Sequence, residues 1–274
     1  MNNREKVIYN EALNFLLGLK GKTKEGKLIQ ITPETIDPYL MPEPARKIIT
    51  SSDLFRQLID SLKNRDRMSN VIGDTANFKE LLFDFNPQEV HERYSQNTNE
   101  LLSAIQKKFP RAINKNGKRS LWYQFSKGAL SSAAFAKNFS KDGEFDAFVK
   151  QFSFNEYSKA ALPMLLDYEI DGFGFALACN FLKDAGYSDY AKPDVHLIKI
   201  FYELGLSSSS QPYDVFKNIL RFAKEVNKSP YAVDKVFWLI GSGKFYLPQH
   251  AFFTGQNRDR FIQLIKQKEK SQAE

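Results

Sequence analysis

Two stretches of the sequence carry residue types at spacings that can do chemistry. In the first, Ile170-Asp171-Gly172-Phe173-Gly174 separates two segments of helical periodicity. Glycines at 172 and 174 can take positive φ and let another backbone come close. The helix that follows presents unpaired N–H groups and the positive end of its dipole at that turn. Such an end binds phosphate without a charged side chain. A plain helix-to-helix turn uses glycines in the same way, and the chain has a second pair at Gly241 and Gly243. In the second stretch, Lys192-Pro193-Asp194-Val195-His196 opens another helical run. Aspartate there is a good N-cap. A carboxylate so placed can also stabilise positive charge developing on a substrate. His196 beside it can act as an acid or base, or as a packed, hydrogen-bonded support for the helix. His91 and His250 stand in unrelated contexts, and three scattered histidines make no metal-ligand pattern.

A third feature is electrostatic. Residues 107–127 hold Lys107, Lys108, Arg111, Lys115, Lys118, Arg119 and Lys127 and no acidic residue. Trp122, Tyr123 and Phe125 follow the cluster closely. Cations interleaved with aromatic rings suit a nucleic acid, through phosphate contacts with counterion release and through stacking; a solvated loop has the same composition. The whole chain carries 39 basic and 32 acidic residues, a net charge of +7, which favours a polyanionic partner.

The elements that must position these residues are helices. Of 274 residues 42% are hydrophobic, with only 14 glycines and 11 prolines, so the chain can build a core and reads as an all-α fold. Apolar residues recur at helical spacing in residues 7–19, in SSDLFRQLIDSLKN with Ser52 and Asp53 as cap candidates, and in FKELLFDF and PQEVHERY, the latter opening on Pro87. The pattern continues in NTNELLSAIQKKF and, after the basic cluster, in successive segments to RDRFIQLIKQK. Residues 21–44, with four prolines, read as a connection with short turns, and the polar tail KQKEKSQAE as frayed. No strand pattern and no internal repeat is visible. No run of about 18 apolar residues exists to span a membrane. The charged N-terminal residues lack an apolar signal core. A single cysteine, Cys179, excludes an internal disulfide, a cysteine zinc site and an iron–sulfur cluster. The expectation is an intracellular, cytoplasmic protein, associated with the nucleoid if the source is bacterial or archaeal.

Taken together, these motifs resemble the helix-hairpin-helix (HhH-GPD) DNA glycosylase superfamily, whose members include endonuclease III-like, alkyladenine and oxoguanine glycosylases. The family hairpin reads apolar-Pro-Gly-apolar-Gly-x-x-x-Ala. Ile170, Gly172, Phe173, Gly174 and Ala178 match it, and Asp171 replaces the proline. The family's Asp-x-His segment is matched by Asp194-Val195-His196. Its Arg-Leu-Gly-Leu-like run is matched by Glu203-Leu204-Gly205-Leu206 except at the basic residue. Bifunctional members carry a lysine where this chain has Ala176, eighteen residues before Asp194. The block from Asp234 to Phe245 resembles the endonuclease III segment that precedes the cluster cysteines, and Leu247 stands where the first of them would follow. The resemblance covers roughly residues 150–245.

The resemblance implies two helical lobes. Residues 46–191 form a helical barrel ending in a helix-hairpin-helix near 157–185. Residues 1–45 and 192–274 form the lobe that carries the catalytic aspartate. It implies a monomeric enzyme that flips a damaged or modified base out of double-stranded DNA and hydrolyses its N-glycosidic bond. Asp194 is then the anion that stabilises the oxocarbenium-like sugar, supported by His196 and Lys192. Gly172, Phe173, Gly174 and Ala176 contact DNA, as do Lys115, Lys118 and Arg119. Base-pocket candidates are Trp122, Tyr123, Phe125, Tyr168 and Trp238, although most aromatic residues of such a chain fill its core. With alanine at 176 the product is an abasic site, unless Lys192 or another lysine supplies a nucleophile. No organic cofactor, catalytic metal or iron–sulfur cluster is implied, and a sodium or potassium ion can sit between hairpin carbonyls and a phosphate. The competing readings are a scaffold that binds DNA without catalysis and a helical adaptor for acidic proteins. The identity of the base is not encoded in these motifs.

Overall fold

The computed structural model describes residues 4–41, 47–65, 68–112, 117–247 and 251–273. In chain order the elements are α1 (Arg4–Leu17), β1 (Lys20–Lys22), β2 (Leu28–Gln30), α2 (Pro33–Leu40), α3 (Ser51–Leu62), α4 (Met68–Ile72), α5 (Pro87–Tyr94), α6 (Thr98–Lys108) and α7 (Leu121–Ala136). They continue with α8 (Glu144–Gln151), α9 (Glu156–Glu169), α10 (Phe175–Asp184), α11 (Val195–Glu203), α12 (Pro212–Glu225), α13 (Pro230–Ser242), β3 (Lys244–Phe245), β4 (Phe252–Phe253) and α14 (Arg258–Ala273). The fold is all-α, as the periodicity predicts. Among the described residues no helix is long and apolar enough to cross a membrane.

The chain divides into two compact units, residues 1–44 with 186–274, and residues 45–185. In the first, α13 packs against α1, α2, α11, α12 and α14. Phe201, Phe222 and Phe237 meet edge-on at its centre, each pair of ring centroids 5.6 Å apart. Leu16, Leu197, Ile200, Ile219, Val236 and Ile240 complete a continuous apolar core. In the second unit α7 takes the central place, touching α3, α4, α5, α6 and α9. Beside buried Trp122, Phe125, Leu130 and Phe135, its inward positions include the small residues Ser126, Gly128, Ala129, Ser132, Ala133 and Ala136. Small side chains let several helices approach one axis.

Four local expectations are corrected. Residues 21–44 are more than a connection. The antiparallel pair β1–β2 and then β4 and β3 form a small sheet in the order β2-β1-β4-β3, and Pro33 opens α2 at a position where its missing N–H costs nothing. FKELLFDF is not a helix: Phe83, Asp84 and Phe85 have φ of 49°, 53° and 65°, a left-handed turn that a right-handed helix cannot continue. The turn buries Leu82 and Phe85. The cap of α3 is Thr50, and Asp53 sits one turn later, its carboxylate accepting the Thr50 N–H at 3.0 Å in a capping box. The C-terminal tail is helical to Ala273, held to α1 by Lys268 and Glu11 at 2.6 Å.

Candidate functional site

Asp194 is the N-cap of α11. Its Oδ1 accepts the backbone N–H of His196 at 2.8 Å and of Leu197 at 3.1 Å, and its own backbone is extended (φ −86°, ψ 179°). One oxygen caps the helix, and among the described residues no hydrogen bond reaches Oδ2. The residue is half-buried and follows a buried Pro193. The approach to this residue is pinned from α13. The Lys192 N–H donates to Oδ2 of Asp234 at 2.6 Å, and the Asp194 N–H donates to the Lys192 carbonyl at 2.8 Å. Asp234 is 1% exposed. Two turns along α13, Gly241 leaves room for His196: a Cβ there would fall 2.5 Å from the histidine Cβ and 2.8 Å from its Nδ1.

Burial holds the His196 imidazole below the ordinary histidine value, opposed by the nearby Asp194 charge and reinforced by Arg258 and Lys244. Its Nδ1 is buried and finds no partner among the described residues. His196 is therefore packed and neutral near pH 7. Arg258 donates to the Val195 carbonyl at 3.4 Å, adding a cation beside the start of α11.

In the second unit, the glycine turn joins α9 to α10. The Phe173 N–H closes it on the Ile170 carbonyl at 3.0 Å, and Gly172 has φ +91°, the left-handed region that favours glycine. Gly174 caps α10 without a side-chain acceptor of its own and faces open space, and the Asp167 carboxylate accepts the Phe175 N–H at the first turn of α10. Asp171 stands where the resembled family has proline. Its N–H, which proline lacks, donates to Ser131 Oγ at 2.9 Å, and its carboxylate pairs with Lys127 at 2.6 Å. That partner holds the Lys127 ammonium above the usual lysine value. The Asp171 carbonyl presses on Gly128, where a Cβ would come within 2.6 Å. Arg65 also reaches the turn, its Nη1 2.9 Å from where a Gly172 Cβ would stand. Ala176 is half-buried in the first turn of α10 and offers no nucleophile. Cys179 is buried in α10.

The basic cluster does not act as a block. Lys108 pairs with Glu80 at 2.6 Å, and Arg111 donates to the Ile72 carbonyl at 3.2 Å and lies over the Trp122 ring. Lys118 and Arg119 are exposed just before α7, and Lys115 lies outside the described residues. Among the pocket candidates, Trp122 and Phe125 are 3% and 0% exposed. Trp122 stacks on Phe109, and both pack on Phe78. These two are core residues in place of the base-stacking rings expected, because α7 is central to its unit and turns them inward. Tyr123 is half-buried one turn before Lys127. Tyr168, in the last turn of α9, is 89% exposed. Trp238 is half-buried on α13, edge-on to Tyr246 at 5.8 Å. Tyr123 and Tyr168 belong to the unit of the glycine turn, and Trp238, Lys192 and His196 to that of Asp194. Among the described residues no group of three or more His, Cys, Asp or Glu could hold a metal ion.

Sequence reasoning passed over Asp234, Arg65 and Ser131. Asp234 left a signal: an acid between Val233 and Val236 on a helix otherwise apolar inward. Arg65 and Ser131 left none.

No protein-family model matches the chain, and no solved structure matches it. Among proteins of known activity, it is 32% identical over 96 residues to the 8-oxoguanine DNA glycosylase/AP lyase of Methanocaldococcus jannaschii. The alignment covers 32% of this chain and 46% of that protein, so the chain spans about half the relative's length.

Proposed function

We propose that this protein is a DNA N-glycosylase of the helix-hairpin-helix kind that leaves an abasic site. The observation that carries the reading is Asp194: a carboxylate locked at a helix start through one oxygen, with no hydrogen bond to the other among the described residues. The partial similarity to a DNA glycosylase supports the same class. In the proposed reaction the C1′–N bond of a flipped nucleotide breaks, its electron pair leaves with the base, and the base takes up a proton. Asp194 faces the resulting sugar cation. Water adds at C1′ and loses its proton, giving the abasic sugar. Double-stranded DNA meets the glycine turn at Gly172, Phe173, Gly174 and Ala176, with Lys118 and Arg119 on phosphates. Tyr168 and Tyr123 are the proposed stacking partners for DNA near the turn. A sodium or potassium ion between turn carbonyls and a phosphate belongs to the same proposal. Alanine at 176 supports hydrolysis over strand cleavage, in contrast to the lyase activity named for the relative.

The test is a panel of end-labelled duplexes, each with one damaged or modified base and 8-oxoguanine among them. Each reaction is split with and without hot alkali and run beside Asp194→Asn. Breaks that need alkali are expected, with Asp194→Asn slower by at least about 100-fold, the cost of removing one well-placed electrostatic group. Breaks without alkali that borohydride traps would assign a lysine nucleophile, Lys192 first, and overturn the monofunctional reading. Duplex binding without excision of any base would favour a DNA-binding scaffold.

A further inference from the structure

We infer that Asp234 is a positioning residue for Asp194, holding the carboxylate in register with the sugar through the backbone of Lys192. The inference rests on the glycosylase reading of Asp194. Asp234 is a buried carboxylate in the inward face of α13, and its Oδ2 takes the Lys192 N–H at 2.6 Å across 42 residues of sequence. A bond from a backbone donor to a carboxylate is short and strong. The Lys192 carbonyl then receives the Asp194 N–H at 2.8 Å. Two hydrogen bonds in series thus join the rigid helix α13 to the backbone of the residue that meets the substrate. On the far side of Asp194, Gly241 lies seven residues after Asp234, on the same face of α13, and receives the His196 ring in close contact. One helix face therefore grips the segment 192–196 at both ends, and the short cap on α11 fixes the side chain between them.

The contact has a specific consequence. The cap by itself orients the Asp194 carboxylate relative to α11, whereas the Asp234 bond sets where the whole turn sits relative to the unit's core. Losing it leaves a folded helix and an intact cap with a carboxylate free to shift. A misplacement of about 1 Å costs on the order of 100-fold in a reaction that depends on alignment.

The test avoids any need to know the base. Two abasic duplexes are compared, one with a cationic pyrrolidine in place of the sugar and one with neutral tetrahydrofuran. A well-placed anion binds the cation-bearing mimic of the reacting sugar more tightly. The wild-type protein is expected to prefer the cationic duplex by at least about tenfold, and Asp194→Asn to lose that preference. Asp234→Leu removes the acceptor and is expected to cut the preference at least fivefold while neutral-duplex affinity stays within twofold. Asp234→Asn keeps an acceptor oxygen and is expected to retain more of it. This graded rescue is an outcome that loss of packing alone would not produce. Melting curves establish that each variant is folded. If Asp234→Leu does not fold, Asp234→Asn decides, with a threefold loss expected. A folded Asp234→Leu protein with the wild-type preference overturns the inference, while Asp194 keeps its role. A wild-type protein without any preference overturns the glycosylase reading itself.

Discussion

Under the proposed function Asp194 has two tasks that are separable by chemistry. Capping needs an oxygen that accepts N–H bonds, whereas stabilising a sugar cation needs charge. Asparagine caps a helix as well as aspartate does, and alanine does not cap. Asp194→Asn is therefore expected to keep stability within about 0.5 kcal/mol, and Asp194→Ala to cost about 1 kcal/mol. Urea unfolding of the three proteins, set beside their excision rates, checks this. An asparagine variant that stays stable and loses excision supports the double role. One that stays stable and remains active assigns Asp194 to the cap alone. His196 completes the picture at this scale: its ring is packed where Gly241 admits it, and burial keeps it neutral.

The helices carry their own titration behaviour. Tyr9 on α1 is 2% exposed, with its ring 6.4 Å from that of Phe222 on α12. Burial pushes its phenol up to about 12, and its Oη finds no partner among the described residues. The unfolded chain ionises this group near the ordinary value of 10, so the protonated form favours the fold. That stability is complete below pH 10 and is lost as the pH rises through 12, a total of about 2–3 kcal/mol. Tyr9→Phe removes both the ionisable group and a buried hydroxyl without a partner. It is expected to be at least as stable as wild type at pH 9 and to lose less between pH 9 and 12. Urea midpoints of the two proteins across that range measure the difference, and parallel curves would remove Tyr9 as the cause.

For the molecule as a whole, the net charge of +7 makes any duplex binding dependent on salt. The affinity is expected to fall linearly on logarithmic axes between about 50 and 200 mM salt. Lys118→Ala and Arg119→Ala are each expected to weaken binding equally on all sequences and to reduce the salt slope by about one. Fluorescence anisotropy with a labelled duplex measures both quantities. An unchanged slope would take these two exposed side chains out of the DNA interface. Lys108 and Lys127 are poorer candidates for such a role, because Glu80 and Asp171 already engage them.

The helical fold, the glycine turn and the position of Asp194 at a helix start were legible in the sequence, because each depends on residues within a turn or two of one another. Periodicity, a capping side chain and a glycine at positive φ are local properties. The small sheet was not legible: its strands are two or three residues long, and β1 finds β4 from the far end of the chain. The inward placement of Trp122 and Phe125 was decided by the central position of α7, which no property of the segment itself announces. The Asp171 substitution looked like a departure from the family hairpin. The tertiary structure gives it partners in Lys127 and Ser131, 44 and 40 residues away. Likewise the sequence contained Asp234 in plain view and assigned it nothing. Only folding brings it to the Lys192 N–H, because a hydrogen bond between distant segments depends on how helices pack and leaves no periodic trace in either segment.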